Sequence, residues 1–168
     1  MKTKKLTLSG LLIALGVITG NLIFIPVGGA KCFPVQHIIN VLAAVILGPG
    51  YALCVAFSIS LLRNILGVGT ILAFPGSMIG AFLAGIIYKK TKKNILAVLG
   101  EVFGTGILGG WVACLMAKLI MGKSVGALYF IPPFLISTVG GSLIAYLLLK
   151  ALEASKVLNI VGFRGEIK

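Results

Sequence analysis

The sequence has few of the residues on which catalysis and metal binding usually depend. Its 168 residues include three acidic residues, one histidine and three cysteines. A membrane hydrolase needs a nucleophile with a base, or a metal with its ligands. One histidine and one carboxylate within the apolar runs cannot supply either set, and there is no His-Glu-x-x-His or paired-aspartate motif. We therefore expect no enzyme activity, no cofactor and no metal site.

Disulfides and a nucleotide-binding loop are also missing. Cys32, Cys54 and Cys114 are odd in number and lie far apart in apolar surroundings, which argues against a disulfide framework. The segment Gly122-Lys123-Ser124 resembles the end of a phosphate-binding loop, but Ala117 stands where the first glycine of that motif is needed. If the protein transports actively, the energy must come from an ion gradient or from another subunit.

Long apolar runs make up most of the chain. Hydrophobic residues are 59% of the sequence and charged residues 11%, with a mean hydropathy of +1.16. A water-soluble domain of this size would not tolerate such a composition. The apolar runs predict one domain over residues 1–168, an all-α membrane protein with a compact bundle of six transmembrane helices. The predicted helices are residues 6–25, 35–47, 51–66, 71–88, 95–121 and 128–152.

The basic residues predict the orientation of this bundle. Fifteen Lys and Arg give a formal charge of +12, which in a soluble protein would suggest a nucleic acid as partner. Here the basic residues lie mainly between the apolar runs, which is typical of loops that face anionic lipid headgroups. With both termini in the cytoplasm, eleven basic residues are on the inner side and four on the outer side. The outer four are Lys31, Arg63, Lys118 and Lys123.

Two of the runs have unusual lengths. Residues 6–25 follow the basic start MKTKK and could pass for a signal peptide, but 20 residues of helix span about 30 Å, which is a full membrane crossing. Residues 35–47 would span only about 20 Å as a helix. We expect this second helix to be tilted, or the loop before it to dip into the membrane, where irregular backbone survives only if it lines a cavity or is buried in protein.

Polar side chains near the start of the second helix are the first candidate ligand contacts. If the helix begins near Pro34, Gln36 and Asn40 lie four residues apart on one face, with His37 beside them. Together with Lys31 they offer donors and acceptors suited to a small heterocycle with a hydroxyl. The alternative is that they cap the helix and satisfy loop carbonyls.

Further candidates lie on the third, fourth and fifth helices. Arg63 and Asn64 end the third run, where the arginine either binds ligand or extends towards the lipid headgroups. Ser77 follows Pro75, which either frees backbone carbonyls for a substrate or only kinks the helix. Glu101 is the only carboxylate within the spans, so it contacts either the substrate or a basic partner.

Trp111 is predicted near the middle of the membrane, away from the interface that tryptophan usually prefers. Stacking on an aromatic ligand and packing in the core are both open. With so few buried charges, the site should favour a neutral or weakly charged polar-aromatic solute.

Three separated segments resemble one known family. They are VGGAKCFPVQH at residues 27–37, LLRN at 61–64 and AFPGSMIG at 73–80. These segments are similar to the ThiW family, the substrate-specific S components of energy-coupling factor (ECF) transporters assigned to uptake of the thiazole precursor of thiamine. The resemblance covers essentially the whole chain.

The resemblance implies a partner arrangement and a substrate. Such an S component captures its ligand, here hydroxyethylthiazole, outside the bacterial plasma membrane and associates with a transmembrane coupling subunit and two ATPases. In such families a small-residue AxxxA pattern on the first helix contacts the coupling subunit, and Gly10 and Ala14 occupy that place here. Ser9, or the pair Gly16 and Gly20, is the alternative contact. The competing function is an autonomous secondary transporter or channel for a small polar-aromatic solute.

Overall fold

The computed structural model describes residues 2–27 and 30–156, without the side chains of residues 21, 27, 30 and 31. The described chain is mostly helical and has six helical spans, one of which has three consecutive parts. The spans are α1 (Lys2–Leu22), α2 (Pro34–Ile46), α3 (Pro49–Ile65), α4 (Ala73–Thr91), the continuous span Asn94–Leu119, and α7 (Ile131–Ala154). Within the fifth span, α5 (Asn94–Glu101) leads into a π-helical segment (Val102–Gly109) and then α6 (Gly110–Leu119).

Among the described helices, three are long and apolar enough to cross a membrane by length and composition. They are α1 over Lys2–Gly20, the span Asn94–Leu119 and α7. Helices α2 and α3 are apolar but shorter, and α4 ends in a basic last turn. The all-helical, multi-pass architecture predicted from the apolar runs is therefore confirmed, whereas six separate crossings stay a prediction.

Between α1 and α2 the structure has a hairpin where the sequence predicts only a loop. Strand β1 (Ile25–Val27) pairs antiparallel with β2 (Ala30–Cys32), and Ile25 lies opposite Cys32. Branched side chains favour extended backbone, and a two-stranded ribbon tolerates proline because each strand has an open edge. The buried Cys32 thiol donates to the Pro133 carbonyl over 3.1 Å, which attaches the hairpin to the start of α7. The sequence did not predict this short ribbon, although the described chain is otherwise helical.

Helix α2 is the centre of the bundle. Its 13 residues span about 20 Å, against about 30 Å for a full membrane crossing. It begins at Pro34, whose fixed φ suits a first helical position, and it packs on α1, α3, α4 and α7. Almost all of its residues are buried, including Val41, Ala43 and Val45, so the main hydrophobic core forms around it. A helix enclosed in this way can carry polar side chains out of contact with lipid.

The π-helical segment lies where the fifth span packs most closely on α4. A β-carbon on Gly104 would come within 2.7 Å of the Gly80 Cα, and one on Gly109 would collide with Gly76. These positions require glycine because the two backbones touch there. Turns of π-helix inside α-helices are often found at functional sites. The sequence predicts the continuous span, but not this change of helical geometry within it.

The two ends of the bundle differ in charge. Lys5 Nζ donates to the Leu47 carbonyl over 3.3 Å, and Asn94 Nδ2 donates to Glu153 Oε1 over 2.7 Å. Gly85, near the end of α4, packs against Pro49 at the beginning of α3 and so links the two pairs. The beginning of α1, the α2–α3 turn, the beginning of α5 and the end of α7 therefore lie at one end. We call it the basic end, because its described residues include Lys2, Lys4, Lys5, Lys89, Lys90, Lys92, Lys93, Lys150 and Lys156. Arg164 and Lys168, counted with them in the sequence, lie outside the described residues.

Candidate functional site

The interior of the bundle contains a carboxylate with three donors around one of its oxygens. Glu101, the last residue of α5, is completely buried. Its Oε1 lies 3.0 Å from His37 Nδ1, 2.9 Å from Asn40 Nδ2 and 3.0 Å from Thr105 Oγ1. When this carboxylate is ionised it can only accept, and His37 then donates through Nδ1–H. Glu101 thus connects α2 with the fifth span through hydrogen bonds worth about 1.5–3 kcal/mol each.

Helical spacing brings these groups together. His37 and Asn40 are three residues apart on α2, and Glu101 and Thr105 are four apart on the fifth span, so each pair shares a helix face. Across from them Gly80 leaves room for the carboxylate, because a β-carbon there would come within 2.6 Å of Glu101 Oε2. Thr105 Oγ1 also lies 3.0 Å from the Gly76 carbonyl. Helices α2, α4 and the fifth span therefore meet at one polar point.

A second group of hydrogen bonds continues from this point towards α3. Gln36 Nε2 donates to Ser60 Oγ over 2.9 Å, and Arg63 Nη1 donates to Gln36 Oε1 over 2.8 Å. Ser60 Oγ and Ser77 Oγ are 3.1 Å apart, and the Ser77 carbonyl accepts from Asn40 Nδ2 over 3.2 Å. The two groups thus form one connected network. We call it the polar cluster: Gln36, His37, Asn40, Ser60, Arg63, Ser77, Glu101 and Thr105.

Arg63 belongs to the interior and does not extend to the headgroups. Only 2% of it is exposed, and its guanidinium carbon lies 4.2 Å from the centroid of the Phe33 ring. Aromatic faces attract cations most strongly where water is excluded. Of the two alternatives for this arginine, extension to the headgroups is therefore wrong, since α3 turns it inwards onto Gln36. Inside the bundle its charge offsets that of Glu101.

The structure brings together six of the nine predicted ligand residues: Gln36, His37, Asn40, Arg63, Ser77 and Glu101. The neighbouring Asn64 instead donates to the Ser60 and Thr70 carbonyls and supports the α3–α4 turn. Lys31 lies in β2, and its side chain is outside the described part. Trp111 is 51% exposed on α6, and the structure does not bring it to the cluster.

Sequence reasoning missed several hydroxyl residues. Ser60 and Thr105 join the cluster, and on α7 the buried hydroxyls of Ser137, Thr138 and Ser142 have no hydrogen-bond partner among the described residues. Their helix face packs on α2, since a β-carbon on Gly141 would lie 2.9 Å from the His37 Cβ. On α7 the available signal was spacing, because Thr138 and Ser142 lie four positions apart in a glycine-containing apolar run.

On α1 the alternative small-residue pairs occupy different environments. Gly10 and Ala14 are exposed, and nothing lies within 4 Å of a β-carbon placed on Gly10. A β-carbon on Gly16 would lie within 2.5 Å of Ile59, and one on Gly20 within 3.7 Å of Arg63. Ser9 is buried and donates to the Lys5 carbonyl over 2.8 Å. Gly16, Gly20 and Ser9 are therefore used in internal packing, and the first pair is the exposed one.

Over the described ranges, the structure holds no group of three or more His, Cys, Asp or Glu side chains that could bind a metal ion. The polar cluster has one carboxylate, one imidazole and one guanidinium, with amides and hydroxyls between them. Such a set suits hydrogen bonding to a small polar molecule better than it suits metal coordination.

Comparisons with known proteins agree with this architecture. The family model described as thiamine-precursor transporter protein (ThiW) matches residues 6–155. Among solved structures, the S component for biotin from an ECF-type ABC transporter superposes with a TM-score of 0.64 and 21% identity. The match covers 89% of this chain and 92% of that one, so the two share a fold. Among curated proteins, no match was found. The matched family model shows that the chain belongs to the ThiW family of thiamine-precursor transporter proteins.

Proposed function

We propose that this protein is the substrate-binding S component of an ECF-type importer, and that it captures hydroxyethylthiazole for uptake as a thiamine precursor. The observation that carries this proposal is the polar cluster, a connected set of hydrogen-bonding side chains inside an otherwise apolar bundle. Polar groups inside a membrane protein are costly and by default mark a functional site. The family description, a thiamine-precursor transporter, supports the choice of substrate.

The charges of the cluster favour a neutral ligand. Glu101 and Arg63 offset each other, and amides and hydroxyls provide the remaining contacts. A multiply charged ligand would be poorly compensated in this interior, whereas a thiazole with one hydroxyl needs only a few donors and acceptors. Gln36, His37, Asn40 and Ser77 are the ligand contacts we propose, with Arg63 and Glu101 holding them in place.

The energy for uptake comes, in this proposal, from partner subunits. The chain has no phosphate-binding loop, and Glu101 is the one carboxylate within its apolar runs, which is too little for ion coupling. A transmembrane coupling subunit with two ATPases supplies ATP hydrolysis, and it docks on the exposed pair Gly10 and Ala14. The basic end faces the cytoplasm of a bacterium, as expected from the bias of Lys and Arg towards cytoplasmic loops.

Isothermal titration of the purified chain tests the proposal. Hydroxyethylthiazole should bind tightly, while thiamine, a pyrimidine precursor and biotin should bind at least 100-fold more weakly. Binding of biotin in place of the thiazole would show that the ligand follows the fold and not the family. No binding of any of the four would overturn the substrate assignment and leave the architecture unchanged.

A further inference from the structure

Within the polar cluster, His37 is the most exposed residue. The other members are at most 3% exposed, whereas 8% of His37 is exposed and Glu101 is fully buried. A ligand that enters the bundle therefore meets the imidazole first. This inference rests on the proposed function and concerns the same site.

The two nitrogens of His37 have different roles. Nδ1 lies 3.0 Å from Glu101 Oε1 and must donate its proton there, because the carboxylate only accepts. For Nε2 the described residues provide no hydrogen-bond partner. The hydrogen bond at one imidazole nitrogen fixes the protonation of the other. With Nδ1 protonated, a neutral imidazole has an unprotonated Nε2, which can only accept.

Charge balance selects the neutral imidazole. The permanently charged guanidinium of Arg63 and the carboxylate of Glu101 already offset each other inside the bundle. They are joined through Gln36, Ser60, Ser77 and Asn40. A second proton on His37, although close to Glu101, would give the cluster a net charge of +1 in a low-dielectric interior, which is costly. The neutral form with Nε2 unprotonated adds none.

We infer that His37 Nε2 accepts a hydrogen bond from the hydroxyl of the ligand, and that Glu101 acts as a positioning residue that keeps the proton on Nδ1. The pair therefore selects a neutral alcohol. A ligand without the hydroxyl leaves Nε2 unpaired in a dry site. A phosphate ester of the same alcohol has lost this donor and brings negative charge close to Glu101. The site thus distinguishes the free alcohol from both relatives.

The single histidine of the chain makes the inference directly measurable. The full chain, labelled with ¹⁵N in the imidazole and reconstituted in nanodiscs at neutral pH, gives one pair of ring-nitrogen signals. We expect one protonated and one unprotonated nitrogen. Hydroxyethylthiazole should shift the unprotonated signal, and the ethyl analogue without the hydroxyl should leave it in place. An Nε2 that is protonated in the ligand-bound protein would overturn the inference.

Affinities provide the second measurement. The ethyl analogue should bind wild type about 10- to 100-fold more weakly than hydroxyethylthiazole, the range expected for one buried hydrogen bond. His37→Phe should remove this difference while still binding the ethyl analogue, and His37→Gln, which keeps an acceptor, should restore part of it. Glu101→Gln should reduce the difference and populate the Nε2-protonated form. Ser9→Ala, which removes a buried hydroxyl on α1, is the matched control and should change nothing.

The outcomes separate the inference from the proposed function. If wild type binds the thiazole and His37→Phe keeps the full preference for the hydroxyl, the role of His37 is wrong and the proposed function stands. If wild type binds neither compound, the proposed function fails, and the role of His37 fails with it. A variant that does not fold is recognised by its thermal unfolding, and His37→Gln then decides the question.

Discussion

Helix α1 and the span Asn94–Leu119 contain small residues at the same spacing but use them differently. In the longer span, β-carbons on Gly100, Gly104 and Gly109 would meet α4 at 3.4 Å or less. On α1, Gly10 has nothing within 4 Å. The apolar window of α1 is 22% buried, against 50% for the longer span. Four-residue spacing therefore indicates close helix packing, but it does not tell whether the partner helix belongs to the same chain.

Helix α1 and the span Asn94–Leu119 therefore have different roles in different parts of the bundle. The longer span holds Glu101 against α2 and α4, so it shapes the ligand site that we propose. Helix α1 presents an exposed strip of small residues on the outside of the bundle, where another membrane protein can approach closely. Substitutions in one region should therefore leave the function of the other intact.

The largest effect is expected from filling the exposed strip on α1. Gly10→Leu with Ala14→Leu should reduce uptake of hydroxyethylthiazole by the assembled transporter at least 100-fold, because bulky side chains keep the partner helix at a distance. Binding to the isolated subunit should stay within twofold, since both positions are exposed on the outside of the bundle and belong to no part of the polar cluster. Radiolabelled uptake and calorimetric titration of the same variant measure the two quantities.

A matched control for this variant lies on α7. Gly140 is half-buried, but nothing lies within 4 Å of a β-carbon placed on it, so Gly140→Leu introduces similar bulk on another face. It should support normal uptake. Loss of binding along with uptake in the α1 variant would contradict the separation. Full uptake without any co-purifying ATPase would instead favour an autonomous carrier.

Removal of the central carboxylate should have the next largest effect. Glu101→Ala leaves His37, Asn40 and Thr105 without their common acceptor, and breaking a buried charged contact costs about 3–5 kcal/mol. We expect hydroxyethylthiazole to bind about 100-fold more weakly, roughly 2.7 kcal/mol, and the melting temperature to fall. Titration and thermal unfolding measure these effects. Unchanged affinity would show that the cluster only holds the helices together.

A single methyl group should distinguish internal glycines from the exposed one. Gly109→Ala places a β-carbon against the Gly76 backbone, which cannot move aside, so we expect a loss of about 1–3 kcal/mol in the free energy of unfolding. Gly10→Ala meets no neighbour and should be neutral or slightly stabilising. Denaturation in mild detergent compares the two. Equal stability of both variants would contradict the close contact between α4 and the fifth span.

The smallest effect is expected at Trp111. It is half exposed on α6, outside the polar cluster, so Trp111→Phe should change the affinity for hydroxyethylthiazole less than twofold. Titration of the variant measures this. A tenfold loss, about 1.4 kcal/mol, would return the tryptophan to the site as a stacking partner for the thiazole ring.

Parts of the site were predictable because short-range geometry determines them. Helical spacing places Gln36, His37 and Asn40 close together on α2, and the cost of burying a charge in lipid marks Glu101 as functional. The partner of Glu101 was not predictable. His37 and Glu101 are 64 positions apart, and no local pattern indicates which of several polar groups meets a buried carboxylate.

Arg63 illustrates the same limit. Its position at the end of an apolar run fits a side chain that extends to the headgroups, and only the rotation of α3 against α2 turns it inwards onto Gln36. The hairpin before α2 and the π-helical segment after Glu101 also depend on contacts between distant segments. They were missed because sequence periodicity describes one helix at a time.

The sequence alone indicated that this protein is a helical membrane protein and which family it belongs to. It could do so because hydropathy, the length of apolar runs and short motifs are properties of continuous segments. The tertiary structure decided how those segments are used: which glycines pack internally, which small pair stays exposed, and which polar groups share a hydrogen bond. The physical reason is that helix packing fixes both the rotation and the depth of each helix. Only those two quantities determine whether a side chain faces lipid, a neighbouring helix or a ligand.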